Sequence, residues 1–245
     1  MNHRRGMALA LIALVLAILL GVLVAVPATL DRVQVVDDWV YDLSNRFQPP
    51  PLIWAAKVLA LTGSAYVNWP LRVAVILLLA WRRMWIQLLA FVLAVVTSEV
   101  VLGVMKNAYA RPRPPDPLFA TTGYSFPSGH AVAAVVTAVG IVIVLLPPGS
   151  ARTRWEIRAI VFVLLMAMSR VYLNAHWLSD VVEGILVGTA LALLFPSVLQ
   201  TLRVRAQRGK AHPVRTSSAP DGESSSPGLL KSVTGKQISW RAGSA

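Results

Sequence analysis

No cysteine occurs in the chain. Disulfides, thiol nucleophiles and zinc–thiolate sites are therefore excluded, and cysteine usage gives no reading of the redox compartment. Acidic residues are scarce, 11 against 23 lysines and arginines. The motifs contain no Asp/Glu cluster at a spacing that would hold magnesium, so they call for no metal and no cofactor. Charged residues make up only 14% of the chain. What is plentiful is apolar: 56% of 245 residues, with a mean hydropathy of +0.63, where a soluble domain has about 45–50% apolar residues. This is the composition of an all-α, polytopic membrane protein with one membrane domain and tails. The net charge of +12 would suggest nucleic acid in a soluble protein. Here the basic residues cluster beside apolar segments, as cytoplasmic loops do, and no nucleic-acid partner is expected.

Met7 to Val26 is an uninterrupted apolar run preceded by Arg4 and Arg5, long enough to span roughly 30 Å of hydrocarbon. Ala25-Val26-Pro27-Ala28 faintly resembles a signal cleavage site. The apolar core is too long for a typical signal peptide, which favours a retained first helix. Residues 28–51 read as a polar, acidic loop ended by Pro49-Pro50-Pro51. The course of 52–81 is the hardest to parse. Residues 52–63 read as an interfacial or short packed helix, and a second span runs from about 65 to 81 with Pro70 at a kink or first turn. Further spans are expected at Trp85–Met105, Ala131–Leu146, Ile157 to about Leu173, and Val181–Phe195. Six spans put the N-terminus, Arg82-Arg83, the 147–158 loop and the C-terminus on one basic, cytoplasmic side. Residues 1–200 thus form the membrane domain and 201–245 a basic cytoplasmic tail, with 206–245 too poor in large apolar residues to order. There is no internal repeat.

Three short stretches carry the chemistry: Lys106-x6-Arg113-Pro114, Pro127-Ser128-Gly129-His130, and Ser169-Arg170-x5-His176-x3-Asp180. All lie at the ends of apolar runs, on the side away from the basic loops. Lys106, Arg111 and Arg113 there defy the positive-inside rule, and phosphate binding supplies a local reason. Lys106 alone would read as a snorkelling interfacial lysine, and Arg111 and Arg113 as a solvated loop. Proline on both sides of Arg113 holds the backbone extended. Ser128 would serve equally as a helix N-cap. A helix start also presents free N–H groups to an anion, and Gly129 permits close approach. Arg170 in a span is costly unless paired or facing a polar cavity, and a bidentate grip on phosphate would satisfy it. Ser169 reads as a helix-packing residue. His176 and Asp180 stand four apart, which on a helix places them on one face. The Asp then fixes the tautomer so that the other ring nitrogen attacks, while His130 gives a proton to the leaving oxygen. Asp180 would also read as an N-cap with Glu183 completing a capping box. Glu99, two turns below Lys106, would pair with a site cation or tune it.

In order and spacing, the three stretches resemble the signature of the type-2 phosphatidic acid phosphatase superfamily of integral-membrane lipid phosphate phosphatases, over roughly residues 60–195. The resemblance implies a phosphohistidine mechanism, with His176 as nucleophile, His130 as acid and base, and Asp180 orienting His176. Lys106, Arg113, Ser128, Gly129 and Arg170 hold the phosphate, with no metal. It implies a lipid phosphate substrate in a cell membrane, and the position of the motifs opposite the basic loops predicts an extracytoplasmic site. Undecaprenyl diphosphate is favoured, and phosphatidate or phosphatidylglycerophosphate also fit. Phosphotransfer from the same phosphohistidine is the alternative enzyme, and a headgroup-binding protein or transporter the non-enzymatic one. A binder needs the cations but not His130, His176 and Asp180 together. A related soluble fold holds vanadate in a similar constellation, which the expected spans argue against.

Overall fold

In the bilayer core a backbone has no water to bond, so apolar segments must satisfy their N–H and C=O groups internally, as helices do. The computed structural model, which describes residues 3–211, is helical throughout its regular segments. Helix α1 (His3–Ala25) leads across Pro27 into α2 (Pro27–Asn45), followed by α3 (Pro50–Thr62), α4 (Ala65–Trp81) and α5 (Trp85–Tyr109). After a long irregular segment come α6 (Gly129–Ala134), a π-helical turn (Val135–Val139) and α7 (Gly140–Leu145), which run on as one interrupted helix. Helices α8 (Ser150–Tyr172) and α9 (Leu178–Ala211) complete the fold. Among the described residues, four helical stretches are long and apolar enough to cross a membrane: Arg4–Ala25, Pro50–Trp81, Trp85–Tyr109 and Leu178–Gln207. Gly129–Leu145 is apolar but shorter.

Two expectations change, and the course of 52–81 becomes definite. The 28–51 segment is not a loop: Pro27 occupies the first helical position, where its missing N–H costs nothing, and α2 turns Asp37 inward. Residues 52–62 belong to a short helix packed on α8, one of the two readings of the 52–63 segment. It is α3, which together with α4 makes one apolar stretch broken at Gly63-Ser64. At Gly63 an added Cβ would lie 2.6 Å from Met166 Sδ and 3.1 Å from His130 Cδ2, so the break is where the chain passes closest to those side chains. Finally, α9 continues through Ala211, so the first residues of the 206–245 segment, expected not to order, are helical. The rest of the expected tail, 212–245, lies outside the described residues.

The bundle is closed by small residues. The buried side chains of α1, Ala10, Ala13, Ala17 and Val24, form one stripe, and α1 packs along α9. Without a hydrophobic drive between helices in lipid, such close approach is what provides van der Waals contact. The tightest seam lies between α9 and the helix that begins at α6. A Cβ added to Gly184 would sit 2.6 Å from the Ser128 carbonyl oxygen and 2.8 Å from the Ala131 Cβ; one added to Gly188 would sit 2.8 Å from Val135 Cβ. Backbone cannot retreat as a flexible side chain can. Gly184→Ala is therefore expected to destabilise the protein by about 1–3 kcal/mol. Gly103→Ala, where nothing lies within 4 Å, should not lower stability. Thermal unfolding of the two purified variants checks this.

At membrane depth, Arg72 of α4 donates to the Glu99 carboxylate at 2.6 Å and to Thr137 Oγ1, in the π-helical turn, at 2.9 Å. The expected pairing of Glu99 with a site cation does not occur, because the fully buried Arg72 takes it. Two charges in a span are tolerated when they neutralise one another.

Candidate active site

The segment between α5 and α6 is pinned to the α8–α9 turn by backbone bonds. The Leu118 N–H donates to the Leu173 carbonyl at 3.0 Å, the Ser125 N–H to Arg111 O at 2.9 Å, and the Ser128 N–H to Asp180 O at 2.9 Å. Trp177 Nε1 adds a bond to Pro112 O at 3.0 Å. These contacts draw the three sequence motifs, far apart in the chain, to one end of the bundle. Lys106, Arg113, His130, Arg170, His176 and Asp180 gather there, each within electrostatic range of several of the others.

His176 lies in the turn just before α9 rather than on the helix, yet its Nδ1 still reaches to 3.5 Å from Asp180 Oδ2. That distance is too long for a full hydrogen bond. Asp180 Oδ2 already accepts from the Ser125 hydroxyl and, at 2.9 Å, from the Trp177 N–H. Burial pushes the His176 imidazole down to about 4; Arg113 and Arg170 push the same way, and Asp180 opposes them. The ring is therefore neutral at neutral pH. With its proton on Nδ1, facing Asp180, the lone pair sits on Nε2, where Arg113 Nη1 stands 3.2 Å away.

Arg113 is fixed by carbonyls. It donates to Gly123 O at 2.9 Å, Ala175 O at 2.6 Å and Thr122 O at 2.8 Å. Burial lowers its pKa from the ordinary arginine value, with Asp180 opposing. Lys106 Nζ donates to Tyr124 O. Arg170 differs: its Nε and Nη1 are buried and have no hydrogen-bond partner among the described residues, and its guanidinium lies 4.5 Å from the Phe119 ring centroid. Ser128 opens α6 but makes no side-chain cap, so its buried hydroxyl is also unpartnered. Buried donors without partners cost about 1–3 kcal/mol each. Three such donors beside a neutral imidazole are what an oxyanion with several acceptor atoms would satisfy.

Every expected site residue is thus brought to this end of the bundle, Gly129 included as the first residue of α6. The capping roles differ from expectation. Asp180 is not the N-cap of α9: it sits in the first turn and reaches back to the Trp177 N–H, leaving Glu183 out of any capping box with an unpartnered Oε2. Ser169 donates within its own helix, to Met166 O at 2.5 Å, as a packing residue does. The residues not foreseen are Asp37, Gln34, Ser125 and Ser179. Arg111, considered as a possible phosphate ligand, is instead buried beneath Asp180 and bonded to Asp37. Among the described residues no three His, Asp or Glu side chains form a metal-binding group.

The PAP2 superfamily profile matches residues 87–203. An undecaprenyl-diphosphatase of Sulfolobus acidocaldarius is 33% identical over 173 residues, covering 66% of this chain and 78% of that protein. The phosphatidylglycerophosphatase B of Bacillus subtilis is 32% identical over 119 residues, 46% of this chain and 58% of that one. Among solved structures, the transmembrane PAP2-type phosphatidylglycerolphosphate phosphatase of Bacillus subtilis superposes with a TM-score of 0.69 at 25% identity, over 81% of this chain and 98% of that one. Aquifex aeolicus LpxE gives a TM-score of 0.53 at 25% identity, over 63% and 91%.

Proposed function

We propose, since the chain belongs to the PAP2 superfamily, that this membrane phosphatase removes the terminal phosphate of a lipid diphosphate, undecaprenyl diphosphate first among candidates, through a phosphohistidine. The observation that carries the reading is the set of unpartnered buried donors, Arg170 Nε and Nη1 and Ser128 Oγ, gathered at the same end of the bundle as the neutral ring of His176. The sequence relative named for that diphosphate is 33% identical and is covered over 78% of its own length. The other named relatives make phosphatidylglycerophosphate the lipid to test beside it.

The phosphoryl group lodges among Lys106, Arg113, Arg170, the Ser128 hydroxyl and the Gly129 and His130 N–H groups, with the dipole of α6 behind them. Arg113 moves its donor from Nε2 of His176 to a phosphoryl oxygen, which frees the lone pair. Nε2 then forms the bond to phosphorus as the bond to the bridging oxygen breaks, and His130 gives that oxygen its proton. Asp180 holds the proton left on Nδ1 and stabilises the charge that develops. Water, losing its proton to His130, attacks phospho-His176 and releases inorganic phosphate. The fixed cations supply the charge neutralisation that magnesium supplies in kinases. In the bilayer, α1, α3–α4, α5, α6–α7, α8 and α9 are the six crossings, with both termini cytoplasmic and the site at the outer face. The basic loops support that orientation.

Phosphate release by purified protein with EDTA present tests the reading. The panel is undecaprenyl diphosphate, phosphatidylglycerophosphate, phosphatidate and a soluble phosphomonoester. Release from undecaprenyl diphosphate, undiminished by the chelator, is expected; no release from any lipid contradicts it. The pH profile adds a second check. His176 works only unprotonated, so kcat/KM should hold from neutrality down to about pH 5 and then fall through the value of about 4. An acid limb near the ordinary histidine value of about 6.5 would contradict a buried, neutral nucleophile.

A further inference from the structure

Asp37 of α2 and Arg111 lie behind the site, out of reach of the phosphoryl group, yet they are among the most completely bonded side chains in the protein. Arg111 Nη1 donates to Asp180 Oδ1 at 2.8 Å and to Ser179 Oγ at 2.6 Å. Its Nη2 donates to Asp37 Oδ2 at 2.8 Å and to Gln34 Oε1 at 2.7 Å. Asp37 Oδ1 accepts the Ser179 N–H at 2.9 Å, and Oδ2 accepts the Ser179 hydroxyl at 2.5 Å. Asp37, Arg111 and Asp180 are 2%, 5% and 0% exposed.

Two buried carboxylates thus share one guanidinium, and an unbalanced buried charge is costly. Stability does not account for it. Asp180, in the first turn of α9, already ties down the start of that helix by accepting the Trp177 N–H, and a lone Arg111–Asp180 pair would be neutral. What the second carboxylate changes is the field at Asp180. Arg111 facing Asp180 alone would draw its charge away from His176; Arg111 held equally by Asp37 leaves Asp180 a stronger acceptor for the Nδ1 proton. The fork also fixes the carboxylate plane, since Oδ1 is bound to Arg111 and Oδ2 faces His176.

We infer that Asp37 and Arg111 are positioning residues for the phosphoryl-transfer step: through Asp180 they set both the orientation and the basicity of His176. The inference rests on His176 being the nucleophile proposed above. The groups facing His176 directly are Asp180, Arg113 and Arg170, with His130 and Lys106 in range. Asp37 reaches His176 only through Arg111 and Asp180.

The test is steady-state kinetics on full-length, purified Asp37→Asn, Arg111→Gln and the double variant. Asp37→Asn keeps the shape and removes one negative charge, so kcat should fall about tenfold with KM nearly unchanged, and the acid limb should move to lower pH. Arg111→Gln removes the cation, so kcat should fall while the acid limb moves to higher pH. The double variant restores the net charge of the cluster but not the fork: its limb should return to the wild-type position while kcat stays low. A purely structural role would lower activity without moving the limb in opposite directions. A limb unmoved in Asp37→Asn, or a wild-type kcat in it, overturns the clamp. Asp37→Asn is isosteric and decides the matter even if Arg111→Gln does not fold. If His176→Ala retains activity, the nucleophile assignment falls and this inference with it. An inactive His176→Ala beside an unaltered Asp37→Asn sinks the clamp alone.

Discussion

Replacing His176 with alanine is expected to lower phosphate release by about a thousandfold or more, because the variant has no nitrogen to accept the phosphoryl group. The cations are untouched by this change. Lys106, Arg113 and Arg170 are held by carbonyls, an aromatic face or their own helices, not by the imidazole; the 3.2 Å approach of Arg113 Nη1 to Nε2 is one bond among several. The lipid should therefore still bind, and a binding assay on the inactive variant should return an affinity close to wild type. This pairing separates an enzyme from a headgroup-binding protein, which would bind the lipid but release no phosphate with or without His176. Release that survives in His176→Ala would remove the nucleophile from the account.

The second large effect is at Asp180. Asp180→Asn is expected to lower kcat by roughly 10²–10⁴-fold, the range seen when the orienting carboxylate of a comparable triad becomes an amide. Two causes add. The amide can turn an N–H toward Nδ1 and favour the wrong tautomer, placing the proton on the attacking nitrogen. It also withdraws one of the two anions that hold Arg111. KM should change far less than kcat, since no atom of Asp180 touches the phosphate. Steady-state kinetics with circular dichroism of the same preparation checks both halves.

Much of the site was legible because its residues mark themselves. Lys106, Arg113 and Arg170 are cations at the ends of apolar runs, His130 opens a helix behind Pro127-Ser128-Gly129, and His176 precedes Asp180 by four. Each is a costly choice in lipid that a packing role does not explain. The supporting shell carried no such mark. Asp37 lies among other aspartates in a stretch that reads as a polar loop, and only the helical turn of α2 shows which of them points inward. Arg111, two residues from Arg113 but outside the signature, reads as part of a solvated basic loop with substrate contact the lesser alternative, and only the tertiary contact with Asp37 gives its place. The joined α3–α4 stretch was obscured by Pro70 and Arg72. Proline is tolerated in membrane helices where neighbours satisfy the freed groups, and Arg72 found Glu99. The seam at Gly184 and Gly188 was present in the sequence as two glycines four apart. Their meaning, the approach of α6 that sets Ser128 and His130 beside Asp180, required the fold.

The most direct measurement is to quench the purified protein with alkali during turnover of undecaprenyl diphosphate and locate any covalently bound phosphate by mass spectrometry. The account predicts phosphate on the ring nitrogen of His176, absent from His176→Ala and accumulating when His130 is replaced, because His130 activates the water that removes it. Turnover with no phosphorylated His176 at any quench time, or with phosphate on another side chain, would contradict it.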